Sequence, residues 1–471
     1  MKYYITTLGC KVNQYETQAI ESILIDQGLI RTPTEQESDI CIINTCAVTL
    51  ESVRKSKQAI RKIKRMNPKA KIAVCGCLSA LEPDVISSLG ADIIGATGDR
   101  REFAKKIAAM MLPGTEKTDI EPESEPETEV ETVQHNMETQ LEPDKEHTNS
   151  ETSVKPGMKF EELLPGATIG RTRALLKIQD GCDNYCAYCI IPYARGRSRS
   201  ISPEQAAEYA RQLDAGGYKE IVITGIEISS YGKDLKHNGE KSTGLEINLL
   251  DLVKIISLNA PKARYRLGSL DPTTINDEFI DELATITGLC DHFHLSLQSG
   301  CDLTLKRMGR KYDSKHILKA VSSLRKLYPN CGITADLITG FPGETDQEFD
   351  DTLQLIRAVA FSDMHIFPYS PRPGTRAATM PDQIAKSIRL ERARAAAEVA
   401  SAMANEFRSS QIGKVVDVLF ERVSGGYHIG HSGNYIEVAV KQEVAKNSLH
   451  KVLIKSVDEN GKTLGELLIR N

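Results

Sequence analysis

The N-terminal part of the chain alternates short apolar runs with amphipathic stretches. KYYITTL, ICIIN, KIAVC and ADIIGAT are each followed by a helical pattern: YETQAIESILIDQGL, VRKSKQAIRKIKRM, LEPDVISSL and REFAKKIAAMM. Continuous apolar runs mark strands buried on both faces, and helices between them carry a period near 3.6. This order predicts a doubly wound parallel sheet over residues 1–112. After Arg171 the alternation resumes, with strands expected at ALLKIQ, EIVITGI, YRLGSL, HFHLSLQ, GITADLITG and MHIFPY. Six strand–helix units over residues 166–402 are too few to close an eight-fold barrel and predict a partial (β/α)6 barrel. A long helix rich in Ala and Arg, from Asp382 to about Ser410, precedes a last change of pattern. KVVDVLFERV, YHIGHS, NYIEVAVK and KVLIKSVD are short alternating strands, which predict a small antiparallel β-barrel over residues 403–471.

Between the first two regions the periodicity collapses. Residues 113–165 are rich in Glu, Pro and Thr and poor in large apolar side chains, so they cannot bury enough surface to offset their ordering entropy. They are expected to form an acidic flexible linker. This segment also changes the reading of charge. Glu116 to Glu151 carry thirteen acidic residues against Lys117 and Lys145, a local charge of −11 in a chain of −5. The remainder is therefore mildly basic, at +6, which is compatible with a polyanionic partner. The chain has no run of eighteen apolar residues and MKYYITTLGC lacks the apolar core of a signal peptide, so a membrane span is not expected. Eleven cysteines without a secretion signal point to a reducing cytoplasm, where thiols bind metal or sit in cores.

Candidate chemistry is concentrated in KIQDGCDNYCAYCIIPYARGRSRS, Lys177 to Ser200. Cys182, Cys186 and Cys189 form C-x3-C-x2-C, with Tyr188 before the last cysteine. Structural zinc wants four ligands, and an odd triad leaves a disulfide partnerless. Three thiolates can instead hold three irons of a 4Fe-4S cluster and leave the fourth iron open to a small chelating ligand. The triad follows the first strand of the expected barrel, where the chemistry of such barrels is carried. Cys10, Cys46 and Cys77 fall at the carboxyl ends of three N-terminal strands, the edge at which doubly wound sheets bind ligands. They are candidate ligands of a second cluster. Cys41 and Cys75 lie inside strands and read as core, although C-G-C could offer either sulfur.

These residues resemble the radical S-adenosylmethionine methylthiotransferases. The likeness covers nearly the whole chain except the acidic segment, and the terminal barrel resembles the TRAM RNA-binding module. TLGCKVNQYET, Thr7 to Thr17, and CIIPYARGRSRS, Cys189 to Ser200, look like the MtaB branch of that family. The branch acting on isopentenyladenosine begins with a TYGCQMN-type motif, and the branch acting on a ribosomal protein with SLGCPKN.

The resemblance implies transfer of a methylthio group to C2 of N6-threonylcarbamoyladenosine at position 37 of tRNA. It implies two 4Fe-4S clusters, one on Cys182, Cys186 and Cys189 for radical generation from S-adenosylmethionine, and an auxiliary one on Cys10, Cys46 and Cys77. It further implies contacts to S-adenosylmethionine from Tyr188, Gly225, Glu227, Ser269 and Gln298, although Glu227 replaces an Asn or His, Asp271 a Glu and Cys301 a Ser. Cys290, Cys301 and Cys331 read as non-ligands, and GFPGE, Gly340 to Glu344, as a turn shaping the cofactor pocket. Arg195, Arg197 and Arg199 alternate, so an extended segment would aim all three to one side, toward the threonyl carboxylate or tRNA phosphates. Arg171 and Arg173 are weaker candidates. The expected partners are a tRNA anticodon stem-loop and an electron donor such as flavodoxin or ferredoxin, with the protein a cytoplasmic monomer.

Overall fold

Five parallel strands make the N-terminal sheet: β1 (Lys2–Thr7), β2 (Ile30–Arg31), β3 (Ile40–Thr45), β4 (Lys71–Gly76) and β5 (Ile93–Ile94), in the order β2-β1-β3-β4-β5. A computed structural model describes residues 1–112, 158–163, 172–235 and 247–468. Helices α1 (Lys11–Asp26), α2 (Leu50–Met66), α3 (Cys77–Leu81), α4 (Pro83–Ser88) and α5 (Arg100–Met111) connect and flank the strands. Ile20 and Leu24 of α1 pack with Phe103 and Ile107 of α5 on one face, against Tyr3, Ile42 and Cys75. Val53, Ile60 and Ile63 of α2 cover the other face, against Cys41, Ile43 and Val74. The sheet is doubly wound, as the apolar pattern predicts. Cys41 and Cys75 are fully buried core residues on opposite faces.

The central unit holds β6 (Arg173–Lys177), a short hairpin of β7 (Gln179–Asp180) and β8 (Arg199–Ser200), then β9 (Glu220–Thr224), β10 (Arg264–Leu267), β11 (Ser269–Leu270), β12 (His292–Gln298), β13 (Gly332–Thr339) and β14 (Asp363–Pro368). Parallel pairing runs β6-β9-β10 and β11-β12-β13-β14. YRLGSL is a single strand in sequence but changes neighbour at Gly268: Arg264–Leu267 pair with β9, and Ser269–Leu270 with β12. Counting β10 and β11 as one strand gives six parallel strands, an open (β/α)6 barrel.

The expected linker, residues 113–165, lies outside the described residues except for 158–163. Those six do not behave as a free tether. Leu163 is buried, its carbonyl accepts the Tyr15 hydroxyl at 2.7 Å, and the Glu161 carboxylate accepts the Arg101 N–H at 2.9 Å. The long helix runs Lys386–Ser409, starting later than the pattern suggests because Asp382 is in a left-handed turn (φ +56°). It carries the chain through the expected boundary at residue 402 without a break. Beyond it, β15 (Val415–Ser424), β16 (Tyr427–Ser432), β17 (Glu437–Val440), β18 (Leu449–Val457) and β19 (Thr463–Leu467) close into a barrel, order β15-β16-β17-β19-β18. Two details differ from expectation. A fifth strand, β19, is present, and its pairing with β17 is parallel in an otherwise antiparallel barrel.

This terminal barrel docks on the amino ends of the central strands. Arg264 and Arg266 donate to the carbonyls of Asp417, His431, Ser432 and Gly433, and both pair with buried Glu220. Tyr435 lies stacked between His292 and His431 at centroid distances of 4.7 and 4.9 Å.

Candidate functional site

The six candidate cysteines gather around α6 (Ile191–Arg195), which starts just after Cys189. Ile191 and Ala194 of this helix share one apolar cluster with Cys77, Cys182 and Cys189. Cys77 of one triad and Cys182 and Cys189 of the other thus pack in the same cluster as this short helix. None of the eleven cysteines forms a disulfide.

In the first triad, Cys10 ends the β1–α1 turn, Cys46 follows β3 and Cys77 opens α3. Gly76, at φ +104°, makes the approach of β4 to β3 possible, because a Cβ there would strike the Thr45 backbone. Cys46 and Cys77 are buried, while Cys10 is open to solvent yet closely surrounded by protein. Burial pushes all three thiols above their ordinary range, and each triad member also feels at least one of the others. In the second triad burial pushes Cys182 up to about 11 and Cys189 to about 12. Arg310 donates to the Cys186 sulfur at 3.2 Å and pairs with Asp271 at 3.1 Å. Tyr188 meets Phe341 of the GFPGE turn edge-on at 6.5 Å, so that turn backs the cysteine loop. The turn is itself clipped by Arg392, which pairs with buried Glu344 at 2.8 Å.

Among the described residues no group of three His, Cys, Asp or Glu is set tightly enough for a single metal ion. An iron–sulfur cluster holds its cysteines further apart than one ion does, and asks for thiolates only. The charge around the first triad fits such an anionic group. Glu16 and Asp180 are buried with four cations, Arg100, Lys177, Arg195 and Arg199. Two positive charges are left over in a region where a thiolate-bound cluster would bring negative charge. The charge of Arg195 acts on Cys10, Cys46 and Cys77, and Arg195 donates to Asn13 at 2.6 Å. Burial opposes ionisation of Glu16, but Arg100, Arg195 and Lys177 outweigh it and hold the carboxyl well below its usual range.

The arginines of the cysteine loop therefore do not act as one row. Arg195 and Arg199 are buried in the ion-pair network, and only Arg197 is exposed, paired loosely with Asp183 at 3.1 Å. The segment is not extended: Pro192 initiates α6, and Gly196 (φ +76°) turns the chain before β8. Arg173 pairs with Glu421 of the terminal barrel at 3.2 Å, and Arg171 lies outside the described residues.

A pocket opens beside Cys186, lined by Glu227, Ser229, Asp271, Arg310 and Lys311 among others. Burial, then the charge of Asp271, pushes Glu227 up to about 7. Gln179 accepts the N–H groups of Ile226 and Glu227 at 3.0 and 2.8 Å, fixing the loop after Gly225. Ser269 is hydrogen-bonded to Ser296 at 2.7 Å on the adjoining strand, and Gln298 ends β12 in a left-handed conformation (φ +62°) at a bulge. Cys290, Cys301 and Cys331 are buried apart from both triads. Sequence reasoning passed over Asn13, Glu16, Lys177, Asp180 and Arg310. Their signal was weak: polar residues flanking cysteines in helices and strands that otherwise read as amphipathic.

Comparison with known proteins places these features. Residues 176–356 match the Radical SAM superfamily, and residues 2–95 match the Uncharacterized protein family UPF0004. The chain is 35% identical over 442 residues to the threonylcarbamoyladenosine tRNA methylthiotransferase MtaB of Bacillus subtilis, covering 92% of this chain and 89% of that protein. It is 35% identical to the protein of the same name from Thermotoga maritima, covering 97% and 95%. The tRNA-2-methylthio-N(6)-dimethylallyladenosine synthase of Bacillus licheniformis is 33% identical, with 89% and 76% covered. Among solved structures, the radical S-adenosylmethionine methyltransferase TsrM from Kitasatospora setae, with cobalamin and a [4Fe-4S] cluster bound, shares the fold at TM-score 0.52 and 14% identity, covering 91% of this chain and 77% of that one. With two thiol triads in the matching domains, the chain belongs to the radical S-adenosylmethionine tRNA methylthiotransferase family.

Proposed function

We propose that this protein transfers a methylthio group to C2 of N6-threonylcarbamoyladenosine at position 37 of tRNA. The observation that carries the reading is the pairing of two three-cysteine sets across α6. One set would suffice for radical chemistry alone. A second set, beside surplus buried positive charge, suits an enzyme that must also hold the sulfur it gives away. Cys182, Cys186 and Cys189 would hold one 4Fe-4S cluster, and Cys10, Cys46 and Cys77 the other. When bound, these groups supply reductive cleavage of S-adenosylmethionine and a sulfur donor.

The chain's own residues then have separable tasks. Arg310 neutralises charge at Cys186 and orients Asp271, while Glu227 and Asp271 offer carboxylates to the ammonium group of S-adenosylmethionine in the pocket they line. Tyr188, Gly225, Ser269 and Gln298 shape the walls of that site. Arg195 holds the cysteine loop against α1 from within, so of the three loop arginines Arg197 is the one offered to tRNA phosphate. The tRNA is engaged through its anticodon stem-loop with help from the terminal barrel, and an electron donor such as flavodoxin or ferredoxin serves a cytoplasmic monomer. No helix among the described residues is long and apolar enough to cross a membrane.

The choice of base is supported by relatives named for threonylcarbamoyladenosine, which match over nearly their whole length. The test is mass spectrometry of tRNA nucleosides from cells lacking the protein and from the same cells with it restored. Loss and return of 2-methylthio-N6-threonylcarbamoyladenosine is expected. Loss of a different methylthio nucleoside would keep the chemistry and overturn the substrate.

A further inference from the structure

Helix α2 carries a one-sided charge. Its sequence, LESVRKSKQAIRKIKRM, sets seven Lys or Arg against the single acid Glu51. Val53, Ser56, Ile60 and Ile63 form its buried stripe, and the opposite face presents Arg54, Gln58, Arg61 and Arg65 to solvent at the same helical spacing. Five of the seven cations are engaged. Arg54 and Lys55 share Glu51, Lys57 pairs with Glu82 at 2.8 Å, Lys62 pairs with Glu35 at 2.8 Å, and Lys64 lies over Gly90. Arg61 and Arg65 form no ion pair or hydrogen bond with any described residue. They stand one turn apart, where like charges repel, and an anion from outside the chain would relieve that repulsion.

The same helix is fastened to the cysteine site. Ser56 accepts the Cys46 N–H at 3.3 Å and donates to the Cys46 carbonyl at 3.1 Å. The Leu50 N–H donates to Ser370 at 3.1 Å, in the loop that follows β14, and Glu82 joins Lys57 to Arg372 of that loop. The helix therefore starts where the carboxyl ends of β3 and β14 come together. Val48 and Leu50, both exposed, form an apolar rim at this end. From Leu50 the basic face runs back along the outside of the sheet and reaches Arg65 after about 22 Å. The terminal barrel docks at the amino ends of the central strands, the far end from this rim.

We propose that the solvent face of α2, centred on Arg61 and Arg65, holds the phosphate backbone of the RNA stem whose loop carries the reacting base. The inference rests on the function proposed above in taking tRNA as the partner, and adds where its stem lies. A loop base can be splayed out into a narrow site, whereas the duplex behind it is too wide to follow and must rest on the surface beside the mouth. Exposed guanidiniums suit that surface, because one arginine can give a phosphate two parallel hydrogen bonds.

The full-length protein, with clusters reconstituted, is titrated with an anticodon stem-loop RNA containing N6-threonylcarbamoyladenosine over a series of salt concentrations. The double variant Arg61→Gln, Arg65→Gln should bind roughly tenfold more weakly at low salt, and the slope of log K against log salt should shrink by about 1.5, the release expected for two phosphates. Arg61→Lys with Arg65→Lys should keep both the affinity and the slope. A control with the same change in net charge, Lys326→Gln with Arg357→Gln on the outer helices Ser314–Leu327 and Asp346–Val359, should behave as the unaltered protein. The loop sequence without its stem should bind the Arg61, Arg65 double variant and the unaltered protein alike. Unchanged stem-loop affinity and slope in the double variant would overturn the inference, as would an equal loss in the control or an equal loss toward the isolated loop. An acidic electron-donor protein is the competing occupant. Slower cleavage of S-adenosylmethionine with flavodoxin but not with dithionite, at unchanged RNA affinity, would assign the face to that donor and overturn the inference too. Product analysis of the same mixtures tests the parent reading separately. Absence of methylthiolation by the unaltered protein removes the proposed function, whereas methylthiolation with an unchanged salt slope in the double variant removes only the stem contact.

Discussion

Glu16 and Arg195 meet 2.8 Å apart, both essentially fully buried, although 179 residues separate them in the chain. One stands on the helix that Cys10 initiates, and the other ends the helix that follows Cys189. The same carboxylate also pairs with Arg100 at 2.7 Å and Lys177 at 3.4 Å. This single acidic group therefore ties the sheet carrying one cysteine set to the barrel carrying the other. Burying charge is costly, and the pair is better read as fixing the relative placement of the two sets than as a source of stability.

Removing the carboxylate should have a large effect for that reason. Glu16→Ala leaves Arg195 and Lys177 with Asp180 as their remaining ion-pair partner and takes from Arg100 the carboxylate it pairs with. Stranding buried charge in this way costs about 3–5 kcal/mol. We expect a lower denaturation midpoint in urea and loss of iron from the first set in the reconstituted protein. Glu16→Gln keeps the hydrogen-bonding shape and should fall between. If Glu16→Ala unfolds at the midpoint of the unaltered protein, the carboxylate is not what holds the two units together.

The cysteine loop depends on a backbone conformation as well as on its thiols. Gly181 precedes Cys182 at φ +69°, and a Cβ on it would run into the Arg197 carbonyl across the loop. Gly181→Ala should distort the loop that presents Cys182, Cys186 and Cys189 while leaving the N-terminal sheet intact. Iron analysis of the reconstituted variant should show about half the iron of the parent. Full iron with unaltered affinity for S-adenosylmethionine would show that the loop tolerates the side chain.

These two residues illustrate what was and was not readable from sequence. The cysteines were legible because their chemistry resides in residue type and spacing, and because ligands of parallel sheets gather at the strand ends. Gly181 stood next to them and carried no visible mark. Glu16 was hidden by the reading of α1 as an ordinary amphipathic helix. Asn13, Glu16, Thr17 and Gln18 are all buried; Asn13 and Glu16 meet Arg195 of the second unit and Thr17 bonds to Thr7 and Asn44 of its own sheet, whereas a one-domain reading places polar residues outside. Arg195 and Arg199 were misplaced for the opposite reason: α6 and Gly196 coil a segment that alternation alone makes extended. Strand β19, TLGEL, lacks any alternating pattern of its own and takes its conformation from pairing with β17 and β18.

A pH dependence follows from Glu220, which joins the central and terminal barrels. Burial would raise its carboxyl, but Arg266 and Arg264 outweigh burial and pull it from 4.5 down to about 2. A carboxyl lowered on folding contributes its full stabilisation above about pH 4.5, where folded and unfolded chains are both ionised. The contribution, of order 3 kcal/mol, is lost as pH falls from there toward 2. Glu220→Gln should therefore lower stability at neutral pH and flatten the acid limb, read by circular dichroism across an acid titration. An acid limb identical in the two proteins would mean that other carboxyls set it.

The assignment of Cys77 rather than Cys75 can be tested on iron alone. Cys75 is fully buried in the core formed by α1 and α5, whereas Cys77 opens α3 and packs with Cys182 and Cys189 beside α6. Gly76 (φ +104°) ends β4 and turns the chain into α3, so the two sulfurs of C-G-C lie in different environments, and the Cys75 thiol is pushed up to about 12 by burial. It cannot turn toward Cys10 and Cys46 without emptying a core position. Protein reconstituted without oxygen should carry about eight irons, and Cys77→Ala about four. In Cys77→Ala, cleavage of S-adenosylmethionine should persist while methylthio product disappears. Cys75→Ala should keep all of its iron and lose only the packing of one small side chain, about 1 kcal/mol. Retention of about eight irons in Cys77→Ala, with loss only in the double variant, would show that Cys75 can replace its neighbour and that this part of the sheet edge is less rigid than its packing implies.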